Sequence, residues 1–203
     1  MSYAYYELTL TFLKLKYFLG TDHPDIALTL SHIGRVYKNL GEYEQSLEYH
    51  LNALNMRKRL FKNDAANADI ATSLYNVGLV YFYLKDYPKA LEFQLESLEM
   101  RKKMGNNEGL GLADSLSSIG FLKMSMGEYE SSIEYYESAL EAYKRLTVIG
   151  GEQKKAVIES AGKALLNIVA CYEKLGDGQN AQVYKQKYES MRSEPKSVAC
   201  VIS

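Results

Sequence analysis

Residues 25–60 read DIALTLSHIGRVYKNLGEYEQSLEYHLNALNMRKRL, and residues 69–104 read DIATSLYNVGLVYFYLKDYPKALEFQLESLEMRKKM. Set one above the other, Leu30 falls on Leu74, Gly34 on Gly78, Tyr37 on Tyr81, Tyr43 on Tyr87, Tyr49 on Phe93 and Met56 on Met100. Each pair is 44 positions apart. A fixed period of this length marks a repeat solenoid. A third copy follows 42 positions on, with Leu116, Ile119, Gly120, Gly127, Tyr129, Ser132 and Ala139. A fourth lies 49 further, with Leu165, Ile168, Tyr172, Gly176, Ala181 and Tyr184, and it carries Val169 where the others carry glycine. Its extra length falls at residues 147–155, where an insertion between repeats belongs in a loop.

Each copy spells two antiparallel helices. Ile26, Leu30, Ile33 and Tyr37 follow helical spacing. The first helix stops at Leu40-Gly41, where glycine takes the left-handed C-cap conformation. Leu47, Leu51, Leu54, Met56 and Leu60 carry the second helix. Thr21 or Asp22 is expected to cap the first helix, with Pro24 in its first turn. A glycine inside a helix costs about 0.5–1 kcal/mol relative to alanine. Its recurrence at 34, 78 and 120 therefore predicts close helix–helix approach, with Ser46, Ala90 and Ser132 and then Ala53, Ser97 and Ala139 as the matching small surface.

The expected organisation is an all-α solenoid of antiparallel helix pairs, about nine helices in all. Residues 1–20 are the unpaired helix of a partial repeat. Four repeats follow at 21–61, 62–105, 106–150 and 151–192, and 193–203 is a flexible tail. The first helix is apolar nearly all round, which suits a buried helix better than an outermost one. It predicts self-association or a covering partner at this end, or a chain cut from a longer array.

The chain has 203 residues, 47% hydrophobic and 24% charged, with a net charge of -1. That balance gives no electrostatic footprint for nucleic acid. Cys171 and Cys200 form neither a metal spacing nor a disulfide framework, which fits a reducing compartment. No apolar run is long enough to cross a bilayer, and the N-terminus lacks the order of a secretory signal. His23, His32 and His50 fall in different registers and make no catalytic or metal cluster, and no glycine loop cradles phosphate, so no enzyme, cofactor or metal is expected. His23-Pro24-Asp25 spells the J-domain signature, but only 22 residues precede it; a capped turn is the simpler reading.

The spelling resembles the tetratricopeptide repeat: a large residue, then Leu-Gly, then Tyr in the first helix, and small, aromatic, small in the second. Here that gives Leu30, Ile33-Gly34, Tyr37, Ser46, His50 and Ala53, then Leu74, Val77-Gly78, Tyr81, Ala90, Gln94 and Ser97. His50, Gln94, Lys123 and Val169 depart from the pattern. GTDHPDIALTLSHIG and the long second helix resemble kinesin-light-chain arrays, while SLEYHLNAL resembles repeat scaffolds that modulate G-protein signalling. The resemblance implies a right-handed superhelical solenoid whose first helices line a concave groove. Facing it would be Leu28, Ser31, His32, Arg35, Lys38 and Asn39, then Thr72, Tyr75, Asn76, Leu79, Phe82 and Tyr83. Phe121 and Met124 follow in the third copy and Asn167 in the fourth. Asn76 and Asn167 occupy the register that hydrogen-bonds a peptide backbone in the family, since an amide both donates and accepts. The aromatics Tyr75, Phe82, Tyr83 and Phe121, with the apolar Met124, would anchor apolar side chains, and Arg35 and Lys38 an acidic group. The same spacing also suits packing between repeats, for Tyr75 and Phe121 as readily as binding.

The sequence closes on Cys200-Val201-Ile202-Ser203, which matches the prenylation box with a terminal serine that favours farnesyl. One lipid chain anchors only marginally, so reversible contact is expected. The expectation is a non-catalytic scaffold that binds a partner peptide in its groove and is farnesylated on Cys200, cytoplasmic and peripherally membrane-associated. The alternative is a soluble cargo or signalling adaptor, a fragment of a longer array, without the lipid.

Overall fold

A computed structural model describes residues 11–12, 14–16, 22–62, 64, 66–105, 109–149 and 154–193. The fold is all-helical. The helices are α1 (Pro24–Leu40), α2 (Tyr43–Leu60), α3 (Ala68–Tyr83), α4 (Tyr87–Lys103), α5 (Leu110–Ser125), α6 (Tyr129–Ile149), α7 (Lys154–Leu175) and α8 (Gly178–Ser193). Residues 11, 12 and 14–16 are also helical, which makes nine helical segments among the described residues. Phe12 and Leu15 pack against a core of Ile26, Ala27, Leu30, Ala53 and Met56. The chain divides into two compact units, residues 1–104 and 105–203. Cys200 and residues 201–203, where a prenylation box is expected, lie outside the described residues.

Turns of two or three residues force each pair to run antiparallel. After α1, Gly41 sits at φ +81 and sends its N–H back to the Lys38 carbonyl. At the matching corner after α3 the left-handed residue is Lys85, at φ +61, a conformation that costs an L-residue about 1–2 kcal/mol. The start of α1 is not capped by Asp22, and Thr21 lies outside the described residues. The Asp25 N–H donates instead to His23 Nδ1 at 3.2 Å, so the His-Pro-Asp triplet acts as a capped first turn.

The helix glycines do mark close approach, with a partner larger than the small surface expected. A Cβ on Gly34 would lie 2.8 Å from the His50 ring. On Gly78 it would meet Gln94 Cγ at 3.0 Å and the Ala90 carbonyl at 3.1 Å, and on Gly120 the Tyr136 ring at 3.1 Å. His50, Gln94 and Tyr136 hold one register, are nearly wholly buried, and fill the space that each glycine leaves. The small residues serve beside them: the Ser46 hydroxyl donates to the Gly34 carbonyl at 2.8 Å, and Ser132 to the Gly120 carbonyl at 2.7 Å. In the fourth copy the register partner is Lys185, which is exposed, and there the glycine has become Val169. A second signature pair locks each hairpin. Tyr37 stacks on Tyr49 at 5.3 Å, Tyr81 on Phe93 at 5.4 Å and Tyr172 on Tyr184 at 5.6 Å. In the third copy Lys123 replaces the tyrosine and bonds Glu128 at 2.6 Å instead.

Candidate functional site

In the first unit α1, α2 and α3 enclose a cleft of about 300 Å³, lined by Leu28, Ser31, His32, Arg35, Lys38, His50, Arg57, Thr72 and Asn76. Among the described residues the lining contains three cations, Arg35, Lys38 and Arg57, and no acid. From α1, the side chains of Leu28, Ser31 or His32, Arg35 and Lys38 recur every three or four residues, so one face of the helix supplies them. Thr72 and Asn76 come from the matching face of α3.

Arg57 forms the floor. It is only 5% exposed, and its Nη1 donates to Ser31 Oγ at 3.1 Å and to Ser73 Oγ. Both partners are neutral. Among the described residues no carboxylate lies within ion-pair distance of Arg35, Lys38 or Arg57. Burial lowers the Arg57 pKa, and Asp69, farther off, partly opposes that. A guanidinium this buried without a counter-ion is costly. It also shapes its neighbours. Burial, then Lys38 and Arg57, push His50 down to about 4. Burial, then Arg35 and Arg57, lower His32. Both imidazoles are therefore neutral near pH 7, and His50 Nδ1 is buried without a hydrogen-bond partner.

The cleft thus brings together Arg35, Lys38 and Asn76 of the residues singled out in the sequence. Lys38 also reaches out of it, lying 5.9 Å from the Tyr83 ring. Tyr83 is 41% exposed, stacks on Tyr43 at 5.1 Å and meets Phe82 edge-on. An aromatic shelf therefore adjoins the basic cleft. Asn39 is exposed in the last turn of α1, outside the lining. Tyr75 is half-buried under the Arg101 guanidinium at 5.8 Å. In the second unit Phe121 is 41% exposed and so lies outside the core, while Met124 is half-buried. The Asn167 side-chain N–H donates to the Tyr136 hydroxyl at 2.8 Å, which engages part of the amide within the protein.

His50 and Arg57 reach the cleft from the second helix, so the face of the first helices alone does not point to them. A signal was present. Ser46, His50, Ala53 and Arg57 form one stripe on α2, and a cation on a stripe of small and buried residues is out of place on a purely structural face.

Among the described residues no group of His, Cys, Asp or Glu is arranged to hold a metal ion, and no helix is long and apolar enough to cross a membrane. The family model described as tetratricopeptide repeat matches residues 25–103 and again 69–145. No curated protein matches the sequence. Solved structures do. BtubC (BKLC) from P. vanneervenii superposes with a TM-score of 0.79 at 17% identity, over 93% of this chain and 73% of that one. A Podosopora anserina protein described as a kinesin light chain with nearly identical TPR-like repeats gives 0.73 at 13%, over 93% and 85%. A Rap protein complexed with competence and sporulation factor gives 0.56 at 18%, over 91% of this chain and 51% of that one.

Proposed function

The chain belongs to the tetratricopeptide-repeat family, and from that premise we propose that it is a non-catalytic scaffold that holds an extended partner segment. The segment's acidic anchor enters the cleft of Arg35, Lys38 and Arg57. Its backbone runs beside Asn76, and its apolar side chains lie on Tyr83 and Phe82. The observation that carries the reading is a buried guanidinium with hydroxyl partners and, among the described residues, no carboxylate within ion-pair distance, open to a cleft with two further cations. A ligand carboxylate supplies the missing counter-charge, and charge-assisted contacts of this kind are the stronger ones. The Rap protein, similar in fold, is solved in complex with competence and sporulation factor, which supports the use of such an array for binding.

Arrayed peptides carrying one acidic residue beside aromatic or aliphatic ones test this directly. Binding that depends on the acid and is lost in Arg35→Glu with Lys38→Glu is the expected result. Peptides that bind equally well to both proteins refute it.

The Cys200-Val201-Ile202-Ser203 box supports farnesylation and reversible membrane contact for a chain whose last residue is Ser203. Mass spectrometry of the C-terminal peptide from a eukaryotic host is expected to show a farnesyl thioether on a Cys200 that has lost the last three residues. An unmodified Cys200 still followed by Val-Ile-Ser overturns it. The likeness to the kinesin light chain favours a second reading, a cargo or signalling adaptor that works without the lipid. Fractionation of wild type against Cys200→Ser separates the two.

A further inference from the structure

The cleft holds more positive charge than one carboxylate balances. We infer that it recognises a phosphoryl group, as carried by a phosphoserine or phosphothreonine in the partner segment. This rests on the scaffold reading above and narrows its anchor from acids in general to a dianion.

Charge supplies the first argument. Arg35, Lys38 and Arg57 line one cleft, with no acid among the described lining residues. A carboxylate brings one negative charge and leaves two cations uncompensated. A phosphate monoester brings about -1.5 to -2 at neutral pH and three strong acceptor oxygens.

Hydrogen-bond capacity supplies the second. A guanidinium has five N–H groups, and Arg57 uses Nη1 on Ser31 and Ser73. The remainder of its fork makes no hydrogen bond among the described residues. Three acceptor oxygens match what is left of that fork together with Arg35, Lys38 and the Asn76 amide better than two. Arginine is the residue suited to planar, two-point contact with phosphate.

The second unit supplies a contrast. Tyr143 there holds the register of Arg57 and donates to Asp114 Oδ1 at 2.9 Å, so that position carries its own acid. The unbalanced arrangement belongs to the first unit.

The test titrates the isotope-labelled full chain at neutral pH with inorganic phosphate, N-acetyl-phosphoserine N-methylamide and N-acetyl-glutamate N-methylamide, and a parallel sedimentation assay offers phosphatidylcholine vesicles with and without phosphoinositide. Arg57 Nε–H and the Asn76 side-chain amide are followed by NMR. The phosphoserine probe should bind at least about tenfold more tightly than the glutamate probe, with inorganic phosphate moving the same signals. Arg57→Met should abolish the preference. Should that variant not fold, Arg35→Gln with Lys38→Gln on the outer rim reads the same loss. Equal or tighter binding of the glutamate probe at these signals overturns the phosphoryl inference and leaves the acidic-anchor reading standing. Silence from both probes overturns both. Phosphate shifts that persist unchanged in the variants, or binding only to vesicles containing phosphoinositides, also overturn it.

Discussion

Gly34→Ala against His50→Ala is the sharpest test of how these hairpins are held together. A methyl on Gly34 would sit 2.8 Å from His50 Cδ2 and 2.9 Å from Nε2, where ordinary contact begins at 3.4 Å. The ring must give by about half an ångström. At 3% exposure it is packed on every side but the one facing the cleft, so the movement is resisted. Overpacking of this kind costs about 1–3 kcal/mol. Against it stands the gain of replacing a helix-interior glycine, about 0.5–1 kcal/mol. The single substitution should therefore destabilise by about 1 kcal/mol. In the His50→Ala background the clash is gone, only the propensity gain remains, and the same substitution should stabilise. The cycle predicts a coupling of about 2 kcal/mol, read by urea unfolding followed by circular dichroism. A stabilising Gly34→Ala in the wild-type background, or a coupling near zero, refutes the claim that glycine exists here to admit the ring. The fourth repeat is a natural version of this experiment: with Lys185 exposed at the ring's register, Val169 is accommodated.

His50 also makes stability pH-dependent. Its ordinary value is 6.5 and its folded value is about 4, so the unfolded chain binds the extra proton between those limits. Stability is full above pH 6.5 and is lost as pH falls toward 4, by about 3 kcal/mol from this group. His50→Gln, which borrows the residue found at position 94, should remove that part of the slope in urea unfolding from pH 7 to 4; an unchanged slope rejects the buried neutral imidazole. Lys85→Gly should stabilise by about 0.5–1 kcal/mol, since strain at φ +61 outweighs the added freedom of the unfolded chain; a lower thermal midpoint would contradict this. Phe82→Ala with Tyr83→Ala should cost about 1–2 kcal/mol in lost ring contacts while weakening capture of an aromatic-bearing peptide much more; a collapse of the thermal midpoint that accounts for the whole binding loss would make the pair core residues.

The fold was legible because its determinants are local and periodic. Gly34, Tyr37 and Gly41 recur in step with Gly78, Tyr81 and Lys85, and each acts within its own hairpin. The capping residue was harder to find. His23 takes the cap because its Nδ1 reaches the Asp25 N–H, a competition that propensity alone decides in favour of Asp or Thr. The ring beneath each glycine was harder still. His50 and Gln94 look like departures from a small-residue pattern, and only their burial shows them to be the reason for the glycines. Of the cleft, the α1 cations and Asn76 follow from the face of a first helix. Arg57 does not, because it is contributed by a second helix.

Arg57 shows why letters in register do not make sites in register. Arg101 stands 44 positions later in the same Met-Arg-Lys context. There the counterpart of Ser31 is Tyr75, and the guanidinium lies over its ring at 5.8 Å, half-buried. A further 42 positions on, Tyr143 occupies the place, within hydrogen-bond reach of Ser117, the counterpart of Ser31, and bonded to Asp114. The backbone offers one socket three times. It is filled by a cation on neutral hydroxyls, by a cation on an aromatic face, and by a phenol on a carboxylate. Only the first combines deep burial, positive charge and no acid in the lining, and it alone lies beside Arg35 and Lys38. The repeat supplies the geometry, and the departures from it, Ser31 and Ser73 around Arg57, supply the chemistry that selects a ligand.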